Sequence, residues 1–169
     1  MHEFSVDVAL LALRVGAGLV LLAHGCRKLF GWFGGKGIAG SGADFAAIGF
    51  RRGRLNALMA GLSEAVGGAL LALGFLTHLA AAAVLGTMLV ACSVHAPAFF
   101  ALDGGYELPA VYALVATVVA VAGPGDLSVD EALGHPLADA AIRVTAVALA
   151  VATGCAIAIQ RRIAVRAQA

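Results

Sequence analysis

The sequence predicts an all-α protein, a polytopic bundle of transmembrane helices that forms a single domain over residues 1–169. Of its residues 62% are hydrophobic and 12% are charged, whereas a soluble domain carries about 25% charged residues. The mean hydropathy is +0.97, which also favours a chain that lies in lipid. A chain of this length has room for four or five spans of about 20 residues each and for little else.

Five apolar segments predict the topology of the bundle. They cover residues 6–24, 55–76, 79–97, 107–122 and 138–159, and the fourth is the shortest. The first segment lacks the basic region of a cleaved signal peptide before it, so we expect it to be retained as a span. Five spans place nine of the eleven basic residues on one side, namely Arg27, Lys28, Lys36, Arg51, Arg52, Arg54, Arg161, Arg162 and Arg166. The positive-inside rule then predicts a multi-pass protein with its N-terminus outside and its C-terminus in the cytoplasm.

The predicted inner loop at residues 25–54 is the only long connection. Trp32 lies among basic residues near its start, a combination typical of the membrane interface. We expect the glycine-rich run at 34–42 to interrupt regular structure, and residues 44–50 to form a short helix capped by Asp44. The run lacks the Gly-Lys-Ser/Thr ending of a phosphate-binding loop, so that function is discounted.

The remaining connections are short. Residues 74–78 predict a tight antiparallel hairpin between the second and third spans, whose glycines are expected to allow close helix packing. After the fourth span, Ser128 precedes Glu131 by three residues, which predicts the capping box of a short surface helix.

One charged residue, Arg14, lies in the middle of the first span, where an ionised side chain is costly without a partner. Arg14 lies ten residues from the predicted inner end of its span, and Glu64 lies nine residues from the inner start of the second. At about 1.5 Å per residue the two have similar depths. We therefore expect a buried ion pair between Arg14 and Glu64.

A second polar cluster is expected where the spans reach the inner face. It comprises the ligand-binding candidates His24, Lys28, His95, Tyr106 and Glu107, with Cys26 and Cys92 as weaker redox candidates. Histidine and tyrosine side chains suit hydrogen bonds to a quinone headgroup, but the same histidines would equally cap helix ends. The spacing offers no pattern of a metal site, no disulfide framework and no nucleic-acid surface.

The order and spacing of several motifs resemble the DoxX family of small bacterial integral membrane proteins. The motifs include Arg14 with Gly18, the run from His24 to Gly35, the run from Gly61 to Gly68, and the runs from Gly104 to Glu107 and from Gly123 to Asp130. The resemblance implies a four-helix membrane bundle in the bacterial inner membrane. This chain departs from it by a fifth, C-terminal span after residue 137 and by Cys26 and Arg27 between the motif residues His24-Gly25 and Lys28.

The resemblance also implies redox-associated work, as a subunit linked to thiosulfate and quinone oxidation or as a membrane partner of sulfurtransferase and superoxide dismutase. The leading hypothesis is an inner-membrane subunit that binds a quinone or a similar amphipathic ligand in the bundle. The alternative is a non-enzymatic scaffold that recruits soluble thiol, sulfur or superoxide-defence enzymes through the basic loop. A transporter is less favoured because no inverted repeat is evident. Catalysis of its own, with an oxidoreductase role, and assembly as a homo-oligomer are left open.

Overall fold

The computed structural model describes residues 2–135 and 139–167, and in these residues all regular structure is helical. Seven α-helices follow one another along the chain. They are α1 (His2–Phe30), α2 (Gly37–Ala47), α3 (Gly53–Leu73), α4 (Thr77–His95), α5 (Glu107–Ala122), α6 (Val129–Ala132) and α7 (Ala140–Arg166). The predicted all-α polytopic bundle is therefore confirmed.

Four of these helices are long and apolar enough to cross a membrane, in the part of the chain that the structure describes. They are α1 from Phe4, α3, α4 and α7. The fourth predicted span is also an apolar helix, but α5 has only 16 residues, a length of about 24 Å. The helices α1 and α7 run past the predicted inner ends of their spans, because the basic residues there stay helical and lie at the helix ends.

The long helices form a ring with one helix outside it. In the ring, α1 packs against α3 and α5, and α4 packs against the same two helices. The outer helix α7 packs along α4. We call the end of the bundle with the α3–α4 turn and α6 the outer end, and the end with α2 and the 96–106 loop the inner end, after the predicted topology. Which end faces the cytoplasm stays a prediction.

Glycines bring α1 and α3 into backbone contact. A Cβ added at Gly18 would lie 2.5 Å from the Gly68 carbonyl oxygen, and one at Gly25 would overlap the backbone of Ala65. Close approach of this kind is how membrane helices gain packing energy where apolar burial gives no drive. It is also what fixes which residues of the two helices lie at the same depth.

The glycine-rich part of the inner loop is helical, which corrects the prediction for residues 34–50. Its helix α2 starts at Gly37 rather than at Asp44, and Asp44 binds the Lys36 ammonium group at 2.7 Å instead of capping a helix. Glycine is needed here for packing, since a Cβ at Gly42 would lie 2.8 Å from Arg54 Cα in α3. Tertiary contact with α3 thus overrides the low helix propensity of glycine.

The predicted capping box at the outer end is present in part. The Glu131 backbone N–H donates a hydrogen bond to Ser128 Oγ at 3.1 Å, at the start of the short helix α6. This cap holds α6 over the α3–α4 turn, where the Asp130 backbone N–H also donates to the Gly74 carbonyl oxygen at 2.9 Å.

Candidate functional site

Arg14 does not pair with Glu64, which corrects the predicted ion pair. The Arg14 guanidinium donates instead to two carbonyl oxygens, of Leu127 at 2.8 Å and of Leu71 at 3.4 Å. Glu64 accepts a hydrogen bond from Lys28, with Nζ 2.5 Å from Oε2. Both charges of the expected pair are thus buried, but each has a different partner.

The depth estimate failed because the register of α1 against α3 differs from the one assumed. Gly25 meets Ala65 where the two backbones touch, and Arg14 lies beside Gly74, past the last residue of α3. The helix α1 continues beyond the boundary taken from the sequence, so all its residues lie further towards the outer end than expected. Glu64 is therefore at the level of the last turns of α1.

Arg14 belongs to a closed polar cluster at the outer end. The residue is 1% exposed, and Asp130 lies near enough to attract its guanidinium electrostatically. Asp130 is 6% exposed and accepts hydrogen bonds from the backbone N–H groups of Leu76 at 2.8 Å and Thr77 at 2.9 Å. These contacts fasten the segment after α5 to the first turn of α4, and they give the Arg14 guanidinium two acceptors and a nearby carboxylate, while its Nε is buried without a hydrogen-bond partner.

A cavity of about 780 Å³ extends from the inner end of the bundle, at Gly104, to Leu79 in the first turn of α4. It is lined by residues of α1, α3, α4, α5 and α7, together with residues of α2 and of the loops at the inner end. Most of the lining is apolar. Its polar side chains are His24, Lys28, Asn56, Ser63, Glu64, Thr87, His95, Tyr112 and Thr153. An apolar cavity of this size with a few converging polar groups has the character of a small-molecule site.

The Lys28–Glu64 pair is the charged feature of the cavity wall. The Glu64 side chain is 7% exposed, whereas that of Lys28 is 25% exposed. Lys28 reaches this position because the last turns of α1 stay helical and lie against α3. His24 is one helical turn before Lys28 and interacts electrostatically with the same carboxylate.

His95, at the end of α4, also lines the cavity. Its Nδ1 lies 2.7 Å from the Gly104 carbonyl oxygen. Since a carbonyl oxygen only accepts hydrogen bonds, Nδ1 must carry a proton in this contact. In the neutral ring Nε2 is then a hydrogen-bond acceptor, so a ligand group bound to Nε2 would be a hydrogen-bond donor.

Two of the five ligand-binding candidates lie beside the cavity and are not among its lining residues. Glu107 Oε2 accepts a hydrogen bond from the Ala101 backbone N–H at 2.9 Å, and the Tyr106 ring packs edge-on against Phe99. Both side chains therefore hold the loop between α4 and α5, whose residues Gly104 and Gly105 do line the cavity.

The cysteines are free thiols in different settings. Cys26 is buried, Cys92 is half-buried and Cys155 is exposed. Neither redox candidate, Cys26 or Cys92, is among the lining residues of the cavity. Within residues 2–135 and 139–167, no group of three or more His, Cys, Asp or Glu side chains is arranged to hold a metal ion.

The sequence analysis missed Tyr112 and the whole contribution of α7. Six residues of α7 line the cavity at helical spacing: Ala146, Leu149, Ala150, Thr153, Gly154 and Ile157. Small residues recur on this face of an apolar helix, and this pattern can be recognised in the sequence as a sign of close helix packing. The contact between Thr87 and Ser63, whose Oγ atoms lie 2.8 Å apart on α4 and α3, could not be read in this way.

Comparison with known families gives a match. Residues 9–99, which include α1 to α4 apart from the first turns of α1, match the sequence profile of the family described as DoxX. Neither the curated proteins nor the solved structures yielded a match to the chain.

Proposed function

The chain belongs to the DoxX family of membrane proteins, and on that basis we propose that it binds a quinone or a similar amphipathic ligand within its helix bundle, as a redox-associated subunit. The observation that supports this proposal is the Lys28–Glu64 pair in the wall of a largely apolar cavity of about 780 Å³. A cavity with one polar region inside an apolar surround suits a ligand with a polar head and an apolar body.

The polar groups match the hydrogen-bonding needs of a quinone ring. Quinone oxygens accept hydrogen bonds, and Lys28 has three N–H groups of which one is used by Glu64. His24 offers a further ring nitrogen on the same face of α1, one turn away. In a medium of low polarity such hydrogen bonds are strong, so few of them suffice to orient a ring.

The presence of an ion pair at this position also supports a role in binding. A buried ion pair is seldom the most stabilising choice at its position, and an apolar pair of similar volume is often as stable. Lys28 and Glu64 are therefore better accounted for by a role in binding than by stability alone.

The test compares quinone retained by purified protein in lipid nanodiscs, after washing and extraction, across matched variants. The double variant Lys28→Met with Glu64→Leu removes both charges together, so it leaves no unpaired charge behind. We expect it to fold and to retain at least about tenfold less quinone, the loss of one to two good hydrogen bonds in a dry site. His24→Ala should also lower retention.

Tyr106→Phe is the control, because the Tyr106 side chain lies outside the cavity lining and the ring contact with Phe99 is kept. It should bind like the unaltered protein. Unchanged retention in the double variant, at normal thermal stability, would remove the support for a headgroup site at this pair.

A specific surface favours a second candidate, the membrane scaffold for soluble thiol, sulfur or superoxide-defence enzymes. Arg51, Arg52 and Arg54 are exposed together at the inner end. Reversing two of these charges, in Arg51→Glu with Arg52→Glu, should abolish capture of such enzymes if the scaffold is the function. The same variant should leave quinone retention unchanged, because neither residue lines the cavity.

A further inference from the structure

The side chains of α3 that line the cavity point in more than one direction. Glu64 faces the ring interior and binds Lys28 of α1, whereas the adjacent residue Ser63 faces α4, where it donates to the Ala83 carbonyl oxygen at 2.9 Å. Neighbouring residues of a helix point about 100° apart, so their two surroundings are distinct. We call the part around Lys28 and Glu64 the head lobe, and the part between α3, α4 and α7 the tail lobe.

The tail lobe is an apolar groove with two walls. Its α3 wall includes Met59, its α7 wall includes Leu149, and its floor is formed by α4 with Ala83. Met59 is 60% exposed and Leu149 is 62% exposed, so the groove opens to the side of the bundle, where lipid chains lie. In the described residues, α7 packs along α4 and makes at most isolated contacts with α3.

The wall formed by α7 is held by contacts in its middle and at its inner end. Gly86 of α4 and Gly154 of α7 meet closely, since a Cβ at Gly154 would lie 2.9 Å from the Gly86 carbonyl oxygen. At the inner end, Arg161 Nε donates to the Ile48 carbonyl oxygen at 2.8 Å. The α7 wall is thus held in place at the inner end, and the opening is lateral.

We infer that α7 forms the binding groove for the apolar tail of the ligand, which enters the head lobe sideways from the bilayer between α3 and α7. This inference rests on the proposed function, since it concerns the same ligand. A cavity of about 780 Å³ continues from the charged pair into the groove, and an isoprenoid tail needs a route back to lipid once its ring is at Lys28. The groove supplies that route.

This role is specific to the part of the chain beyond the family match. The DoxX profile matches residues 9–99, and α7 lies after it. The charged pair of the head lobe comes from α1 and α3, which lie within the match, while one wall of the tail lobe comes from α7. The C-terminal helix therefore selects ligands by their tails and not by their rings.

The experiment measures retention of two quinones that share one ring, of which one has a long isoprenoid tail and the other a methyl group in its place. Ala146→Phe puts a ring into the groove from α7. Ala148→Phe is the matched control, because Ala148 is exposed on the same helix and outside the cavity lining. We expect Ala146→Phe to weaken binding of the long-tailed quinone at least about tenfold by steric exclusion and to spare the tailless one.

Equal binding of the long-tailed quinone by both variants would overturn the inference and leave the proposed function standing. Failure of the unaltered protein to retain either quinone would overturn both. If Ala146→Phe loses both quinones, crosslinking decides with the unaltered protein and a quinone that carries a photoreactive group on its tail. Adducts within residues 146–157 support the groove, and adducts confined to other helices refute it.

Discussion

Arg14 and Lys28 are two basic residues of α1, one buried and one half-buried, and their surroundings differ at the two ends of the bundle. Arg14 at the outer end is 1% exposed and is held by main-chain carbonyl oxygens. Lys28 at the inner end has a side chain that is 25% exposed, is bound to a carboxylate and lies on a cavity wall. A buried charge is therefore not in itself a sign of a ligand site. What distinguishes the two is whether the surrounding atoms leave space for another molecule.

The largest effect is expected from removing the outer charge. Arg14→Leu would leave the Leu127 carbonyl oxygen without its donor and Asp130 without its positive neighbour. Breaking one side of such a buried arrangement costs about 3–5 kcal/mol, so the apparent melting temperature of the purified protein should fall sharply. Fluorescence-monitored thermal unfolding in detergent measures this.

The matched control for Arg14→Leu is Leu19→Ala, a substitution of a lipid-facing residue that is 54% exposed on the same helix. It should leave the melting temperature nearly unchanged. An Arg14→Leu protein as stable as this control would contradict a closed, structural cluster at the outer end.

An intermediate effect is expected from two glycines, one at each end, that both have left-handed backbone conformations. Gly74 has φ +64° beside Arg14, and Gly104 has φ +73° with nothing within 4 Å of an added Cβ. Alanine carries the same conformational cost at both positions, roughly 1 kcal/mol. At Gly74 it must also displace the Arg14 guanidinium and Ser128 Cβ, which adds about 1–3 kcal/mol of overpacking.

Thermal unfolding of Gly74→Ala and Gly104→Ala side by side isolates that added term. Gly74→Ala should be the less stable variant. Similar stabilities would mean that the guanidinium moves without cost, and that the outer cluster is looser than its hydrogen bonds indicate.

The smallest effect on stability is expected for the inner pair, because the Lys28 side chain is 25% exposed and its charge is therefore only partly desolvated. A double-mutant cycle of Lys28→Met and Glu64→Leu should give a coupling energy of about 1 kcal/mol, as contacting residues do. The same cycle between Arg14→Leu and Glu64→Leu should be additive, within about 0.5 kcal/mol, since these residues have separate partners. Coupling in the second cycle alone would restore the pair expected from the sequence.

Much of the architecture could be predicted from the composition of the chain and the spacing of its motifs. The run of apolar segments predicted five helices in order, the run Ser128 to Glu131 predicted α6, and the motifs around His24 and Glu64 indicated the DoxX family, because these signals are local or follow from the thickness of a bilayer. The sequence also singled out Arg14, Lys28 and Glu64 as the charges that needed an explanation.

The partners of those charges were decided by the tertiary structure. Glycine contacts such as Gly25 against Ala65 set the register of α1 on α3, and a shift of about ten residues places Gly74 rather than Glu64 beside Arg14 and Glu64 beside Lys28. Residue counts from an assumed membrane boundary cannot resolve such a shift, because helices extend past the hydrocarbon by variable lengths. The groove along α7 likewise depends on which helix α7 packs against. Helix–helix contacts in a membrane are set by close packing, which the sequence of a single segment does not determine.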